Sequence, residues 1–222
     1  MVSSFSERPA ALFFDWDGTL VNTLPGLRDA HNHVRTSYGY DAWTEAEFRA
    51  NLRHSARELY PRVYRENTTE ALELLYEYVK KHHIATLEVL DGAPELLEAV
   101  SRLNIPAALI SNKRHDTLLR EVEHLGWTPH FRACVGAGQA ARDKPAADPV
   151  LLALERSGLA LDPSELWYVG DTVTDLEVAA AVGCRSVLLL DGESKDRIIE
   201  EYKPTLVFEH CSALRQALEK FL

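Results

Sequence analysis

The stretch Phe13-Phe14-Asp15-Trp16-Asp17-Gly18-Thr19-Leu20 joins the end of an apolar run to two carboxylates and a glycine. The run, which begins at Ala11, is typical of a buried strand, and Gly18 allows the chain to turn sharply after it. Carboxylates in such a place repel each other and are poorly solvated, so they need a cation or a shared proton. A surface Asp-Gly turn is the competing interpretation, because this pair is common in turns. The remaining sequence decides between the two.

The composition indicates a globular protein of 222 residues with one domain, or one domain and a smaller insert. Its formal net charge of −10 argues against nucleic acid or an anionic membrane as the main partner. A small anionic substrate remains compatible, because a local cation reverses the field. No apolar run approaches the roughly 20 residues that span a bilayer, and residues 1–9 lack the features of a signal peptide. Three widely spaced cysteines predict reduced thiols, and we expect a cytoplasmic protein.

Helical signals follow the first strand, and residues 44–81 carry them without any convincing strand. Pro25 lies near the start of a predicted helix over residues 24–38, and Thr44-Glu45-Ala46-Glu47 is typical of a capping box. Two more helices are predicted around residues 55–65 and 68–81, the last with apolar residues along one face. The sequence therefore predicts a small α-helical insert after the first strand.

The rest of the chain alternates between helix and strand. Strands are predicted at residues 107–110, 132–135, 166–169, 186–190 and 205–208. Helices are predicted at residues 94–103, 117–125, 148–157, 173–182 and 213–221. This alternation predicts an α/β fold, a Rossmann-like parallel sheet with helices on both faces. We expect an α/β core domain from residues 1–22 and 86–222, and a helical domain from residues 23–85.

Polar residues follow four of the predicted strands. The first strand ends in Asp15 and Asp17, the second in Ser111-Asn112-Lys113, and the fourth in Gly170-Asp171-Thr172-Val173-Thr174-Asp175, while Asp143-Lys144-Pro145 lies in the loop after the third. Parallel strands end at the same edge of a sheet, so these groups converge. The carboxylates would form an oxygen-rich pocket that suits Mg²⁺, and the serine and lysine would hold an anion beside it. Each motif alone also fits a helix cap or a surface loop.

In this order the four motifs resemble those of the haloacid dehalogenase superfamily of phosphotransferases. The motifs are Asp-x-Asp-Gly-Thr-Leu, a strand ending in Ser-Asn, Lys-Pro before a helix, and Gly-Asp-x-x-x-Asp. The resemblance covers nearly the whole chain, about residues 10–208. It implies a Mg²⁺-dependent enzyme in which the helical insert is a cap that closes over the site, excludes water and reads the leaving group.

The resemblance also implies the catalytic roles. Asp15 would be the nucleophile that forms an aspartyl-phosphate, and Asp17 would protonate the leaving alkoxide and later activate the hydrolytic water. Ser111 would donate to a phosphoryl oxygen. Lys144 would neutralise the phosphoryl charge and restrain the nucleophile. Such positioning and charge stabilisation are what phosphoryl transfer mainly requires.

The implied metal ligands are four aspartates. Asp15 would bind Mg²⁺ through its carboxylate, Asp17 through its backbone carbonyl, and Asp171 would complete the protein ligands. For Asp175 two roles stay open: direct ligation, or holding Asp171 and Lys144 in place.

Within the family, Asp17 favours phosphate-ester hydrolysis, because members that cleave carbon–halogen bonds or phosphonates lack a second aspartate. The alternative enzyme is a sugar phosphomutase of the β-phosphoglucomutase type, which keeps the same motifs. A third hypothesis is a catalytically idle binding module, although no motif residue is missing. Ser-Asn-Lys with a helical cap is most similar to phosphoglycolate phosphatases, but many of those have Asp where this chain has Asn22. Lys113 could meet a substrate carboxylate or be a loop cation.

The expected partner is a small phosphorylated metabolite, with phosphoglycolate the leading candidate, and no nucleic acid or membrane. Substrate contacts are predicted at Ser111 and Asn112 in the core and at three basic residues of the cap: Arg53, His54 and Arg57. A solvated basic helix face is the alternative for the cap residues. His31 and His33, on the helix after the first motif, are expected to be exposed or to cap a helix and not to act in catalysis. We expect a monomer or a homodimer.

Overall fold

The computed structural model describes residues 7–51, 54–190 and 195–221. Its strands are β1 Ala11–Phe14, β2 Val21–Asn22, β3 Glu88–Val89, β4 Ala107–Arg114, β5 Ala133–Ala137, β6 Leu166–Gly170, β7 Arg185–Leu189 and β8 Leu206–Phe208. Its α-helices are α1 Leu24–Ser37, α2 Glu45–Asn51, α3 Ala56–Tyr64, α4 Thr68–His82, α5 Ala93–Arg102, α6 His115–His124, α7 Asp148–Ser157, α8 Val173–Val182, α9 Lys195–Tyr202 and α10 Cys211–Glu219. Short 3-10 helices lie at Arg65–Asn67, Thr128–His130 and Pro163–Glu165.

Six strands form one sheet in the order β5-β4-β1-β6-β7-β8, and every pair of neighbours is parallel. β1 lies inside the sheet, with Phe14 in register with Leu109 of β4 and Val169 of β6. A strand with neighbours on both sides needs apolar side chains throughout, which explains the Ala-Leu-Phe-Phe run. The predicted parallel sheet is confirmed, and its carboxyl edge carries the polar strand ends.

The two faces of the sheet are covered by different helices. Leu12 and Phe14 of β1 pack into a cluster with α5, α6 and α10, whereas Ala11 and Phe13 pack into a second cluster with α7 and α8. Successive side chains of a strand point to opposite faces, so this single strand contributes to both clusters. Helices cover both faces, as predicted, and the central strands β1 and β6 are buried along their whole length.

A third apolar cluster joins α1, α3 and α4 and includes Val34, Tyr60 and Leu75. Its separation from the two sheet clusters supports a cap built from residues 23–85, and we propose this division between cap and core. The two connections between these parts run side by side as β2 and β3, where Val21 pairs with Val89 in antiparallel register. Two-residue strands are too short to give a period in sequence, and they were not predicted.

Several predicted elements match the structure closely. α7 and α8 have the predicted bounds, and Thr44 and Glu47 form the predicted capping box before α2. Two differences are a longer β4, which continues through its polar end to Arg114, and α9, which was not predicted. In the part of the chain that the structure describes, no helix is both long and apolar enough to cross a membrane.

Candidate active site

Three carboxylates meet at the carboxyl edge of the sheet. Oxygen atoms of Asp15, Asp171 and Asp175 lie within 4.8 Å of one another. Burial, then the charge of Asp175, raises the pKa of Asp15 to about 7, and burial raises the pKa of Asp171 well above its ordinary range. Desolvated carboxylates this close need positive charge, and an all-oxygen set is what Mg²⁺ takes. The residues present therefore fit a divalent cation.

Two glycines allow the carboxylates to approach the backbone this closely. Gly18 has a φ of +89°, and a Cβ atom there would lie 2.2 Å from Oδ2 of Asp171. A Cβ atom on Gly170 would lie 2.3 Å from Cγ of Asp175. Thr19 then donates a hydrogen bond of 3.0 Å to Oδ1 of Asp171. The Asp-Gly step is thus a close approach between two strand ends, not a surface turn.

Lys144 places a positive charge beside two of the three carboxylates. Its buried Nζ lies 2.6 Å from Oδ1 of Asp15 and 2.8 Å from Oδ1 of Asp175. Asn112 fixes the backbone of Lys144, because its side-chain amide donates to the Lys144 carbonyl and accepts from the Lys144 N–H, both at 3.0 Å. Burial opposes the charge on Lys144, but the two carboxylates outweigh it and raise its pKa.

The side chain of Asp17 has a different set of partners. Its Oδ1 accepts hydrogen bonds from Lys113 Nζ, at 2.7 Å, and from the hydroxyl of Thr23. Ser111 Oγ lies 3.5 Å from Oδ2 of Asp17 and accepts a hydrogen bond from the Lys113 N–H at 3.0 Å. The two aspartates of the first motif therefore occupy different electrostatic environments, one among carboxylates and Lys144, the other beside Lys113.

A cavity of about 190 Å³ lies between this edge of the sheet and the helices of the cap. It is lined by most of the predicted site residues: Asp15, Asp17, His54, Arg57, Ser111, Asn112, Lys144 and Asp171. Asp175 is buried and does not line the cavity. Arg53 lies outside the described residues.

Comparison with known proteins identifies the family. Residues 12–189 match the model described as haloacid dehalogenase-like hydrolase. The chain belongs to the haloacid dehalogenase-like hydrolase family. The predicted resemblance is therefore confirmed.

Alignments with similar proteins extend over most of this hydrolase. It is 30% identical over 219 residues to a phosphoglycolate phosphatase of Mesorhizobium japonicum, covering 95% of each chain. It is 28% identical over 190 residues to an N-acetylmuramic acid 6-phosphate phosphatase of Pseudomonas aeruginosa, covering 83% of each chain. A solved haloacid dehalogenase-like family hydrolase from Streptococcus pneumoniae has the same fold, with a TM-score of 0.79, 23% identity, and coverage of 97% of this chain and 99% of that one.

Asp143 was not predicted to be a site residue of this hydrolase. Its buried carboxylate accepts from Ser55 Oγ at 2.5 Å and from Arg57 Nη2 at 2.9 Å, and it also accepts from the N–H of Gly138. Ser55 and Arg57 belong to the cap, and Asp143 belongs to the core loop that carries Lys144. We name Ser55, Arg57 and Asp143 the cap latch. The sequence clue to this site was that Asp143 directly precedes the motif lysine, Lys144.

The cap wall of the cavity differs from the prediction at His31. This residue was expected to be exposed or to cap a helix, but it is buried, lines the cavity, and its Nδ1 lies 3.0 Å from the Tyr60 hydroxyl. Burial, then Arg35, lowers the pKa of His31 to about 4. His54 is half-buried, and its Nδ1 lies 3.7 Å from Glu58. The periodicity of α1 contained the signal for His31, because Ala30 and Val34 lie on the same buried face.

Proposed function

We propose that this hydrolase is a Mg²⁺-dependent phosphatase that cleaves a small phosphate monoester through an aspartyl-phosphate on Asp15, with phosphoglycolate as the leading candidate. The family and its curated relatives make the chain a phosphatase, while its substrate, metal and mechanism are the proposal. The main support for this mechanism is that the two aspartates have different neighbours. Asp15 lies beside Lys144 among carboxylates, and Asp17 lies beside Lys113 and Ser111. Two carboxyl groups in different environments are suited to different roles in one reaction.

The metal would be held by the carboxylates of Asp15 and Asp171 and by the backbone carbonyl of Asp17. Asp175 either ligates it or holds Lys144, to which it already bonds at 2.8 Å. Bound Mg²⁺ would supply charge that neutralises the carboxylates and stabilises the phosphoryl oxygens.

In the first step a carboxylate oxygen of Asp15 attacks phosphorus, and the bond from phosphorus to the ester oxygen breaks. Asp17 in its acid form gives its proton to the departing alkoxide. Ser111 donates to a phosphoryl oxygen, and Lys144 opposes the negative charge that builds up there. Lys144 also favours the ionised form of Asp15, which burial alone would disfavour.

In the second step Asp17, now a carboxylate, takes a proton from a water molecule at the position that the alkoxide has left. The water oxygen attacks phosphorus and the bond to Asp15 breaks, which releases phosphate and restores both groups. A cap closed over the cavity limits this reaction to the water that Asp17 positions. Each proton that Asp17 gives in the first step therefore returns in the second.

Substrate recognition by the cap is part of the proposal. His54 lines the cavity and is available to a leaving group, while Arg53 stays a prediction. Arg57 lines the cavity too, but its guanidinium is bonded to Asp143, so direct substrate contact would require that ion pair to loosen. Ser111 faces the reacting phosphate in this scheme, and Asn112 acts mainly through the backbone of Lys144.

The experiment is phosphate release from a panel of esters with Mg²⁺ and with EDTA. The panel contains phosphoglycolate, N-acetylmuramic acid 6-phosphate and common sugar phosphates. We expect phosphate release from at least one ester and none in EDTA. In Asp15→Asn the rate of release should fall at least about 1,000-fold. Release that persists in EDTA would contradict the metal site, and no release from any ester would contradict the function. Glucose 1-phosphate with a bisphosphate activator tests the mutase, which would form glucose 6-phosphate.

A further inference from the structure

A buried ion-pair network lies behind Asp17. Lys113 Nζ is 2.7 Å from Oδ1 of Asp17 and 2.7 Å from Oε2 of Glu121. The side chain of Lys113 is 6% exposed and that of Glu121 is fully buried. Glu121 comes from α6, which packs against β4, the strand that carries Lys113. The ammonium group is thus held between the proposed acid–base residue and a carboxylate outside the cavity.

Glu121 also accepts hydrogen bonds from two other buried residues. Trp16 Nε1 lies 2.7 Å from Oε2, and His83 Nδ1 lies 2.9 Å from Oε1. Burial favours the neutral form of Glu121, but the bond from His83 and the charge of Lys113 outweigh it and lower its pKa. The indole of Trp16, which separates Asp15 from Asp17 in the sequence, is also fixed by an edge contact with Trp127.

The network reaches both connections between cap and core. His83 directly follows α4, the last helix of the cap, and Thr23 directly precedes α1. Thr23 Oγ1 donates to Asp17 and accepts from Lys113 Nζ at 3.1 Å. Each connection therefore contributes one side chain to the network: Thr23 bonds to Asp17 directly, and His83 bonds to Glu121.

We propose that Glu121 is a positioning residue for the acid–base step: it anchors Lys113, which orients the Asp17 carboxylate, and through His83 it ties that orientation to the cap connection. This role rests on the proposed function, because it acts through the proton transfer assigned to Asp17. Stability alone is a weak reason for such a site, since a buried ion pair is often no more stabilising than apolar residues of the same volume.

The test compares Glu121→Gln with Glu123→Gln, an exposed glutamate on the same helix. Quenched-flow single turnovers with enzyme in excess measure leaving-group release, which reports only phosphoryl transfer to Asp15. The probes are phosphoglycolate, or the best alkyl ester of the panel, and p-nitrophenyl phosphate, whose phenolate needs little protonation. Glu121→Gln should slow leaving-group release from the alkyl ester at least about 10-fold and from p-nitrophenyl phosphate less than about 3-fold. Only the alkyl leaving group depends on protonation by Asp17. Glu123→Gln should match the wild type with both.

A double-mutant cycle tests whether Glu121 acts through Lys113. In a Lys113→Met background, Glu121→Gln should slow the alkyl ester by less than about 2-fold further, and full additivity would overturn the proposal. Equal losses on both esters, or no loss in folded Glu121→Gln, would overturn it too. If Glu121→Gln does not fold, Lys113→Met/Glu121→Met leaves neither partner of the pair charged and replaces it in the ester comparison. A wild type inactive on every ester would instead refute the proposed function, and this role with it.

Discussion

The ammonium nitrogen of Lys144 lies 2.6 Å from Oδ1 of Asp15, and both side chains are buried. The same nitrogen contacts Asp175, so one lysine faces two of the three clustered carboxylates. Burial makes each carboxylate costly in its charged form, and Lys144 offsets part of that cost for Asp15. The chemistry and the stability of this site are therefore coupled through a single residue.

Lys144→Met should lower turnover at least about 100-fold, because both the nucleophile and the phosphoryl group lose a nearby positive charge. In EDTA the melting temperature of the variant should also fall below that of the wild type, since the clustered carboxylates lose the ammonium group of Lys144. Steady-state kinetics and thermal unfolding measure the two effects. Lys81→Met, an exposed lysine of the cap, is the control and should change neither. Wild-type turnover in folded Lys144→Met would contradict the assignment.

Asp171→Asn should raise the melting temperature in EDTA at pH 7 and remove the stabilisation by Mg²⁺. Burial, then Asp175 and Asp15, raises the pKa of Asp171 in the fold. A carboxyl group whose pKa is raised on folding favours the fold below its unfolded pKa, and this contribution is lost as pH rises through the folded pKa. The amide does not ionise, so the variant avoids that loss, but it is also a poorer metal ligand.

Thermal unfolding with EDTA and with Mg²⁺ measures both effects for Asp171→Asn. Exposed Asp41→Asn is the control and should respond to Mg²⁺ as the wild type does. Equal Mg²⁺ stabilisation of the wild type and Asp171→Asn would show that the metal lies elsewhere.

Asp143→Asn should weaken the cap latch and lower kcat/KM by about 10-fold on every ester alike. Asp143 accepts from Ser55 and Arg57 of the cap, and its amide analogue keeps only part of that capacity. The matched control is Asp148→Asn, which weakens an exposed ion pair with Arg142 of 2.8 Å, a kind of pair that contributes little. Kinetics on three or more esters measure the effect. Losses that differ strongly between esters would assign Asp143 to substrate recognition instead.

His31→Gln should reduce the loss of stability between pH 7 and pH 5. Burial, then Arg35, lowers the pKa of His31 to about 4, from 6.5 for the ordinary group. Between these values the unfolded chain binds more protons, so stability rises with pH across that window and levels off above it. The wild type should therefore lose about 2 kcal/mol more than the variant between pH 7 and pH 5.

Urea unfolding at the two pH values measures this difference in the free energy of unfolding. Glutamine keeps an acceptor for the Tyr60 hydroxyl, which bonds to His31 at 3.0 Å. His33→Gln, on an exposed position of the same helix, is the control. An unchanged pH dependence in His31→Gln would mean that other groups cause it.

The sheet and its polar edge followed from local patterns. Four strand ends carried distinct polar residues, and parallel pairing brings all such ends to one edge, so Asp15 and Asp171 could be placed together across a long stretch of chain. The cap helices also followed from periodicity and from the Thr44–Glu47 capping box. The strands β2 and β3 could not be predicted, because two residues give no period.

The fold class, the family and the residues that meet at the carboxyl edge of the sheet could all be inferred from the amino-acid sequence. The side-chain partners in and around the site depend on tertiary packing: Lys113 for Asp17, Asp143 for Arg57, and Glu121 for Trp16. Those pairs join segments that lie 86 to 105 positions apart. Motifs and periodicity report which face of an element is buried, but which side chains bond there depends on how distant elements pack. The first motif could therefore be recognised in the sequence. The different charged neighbours of Asp15 and Asp17 could not.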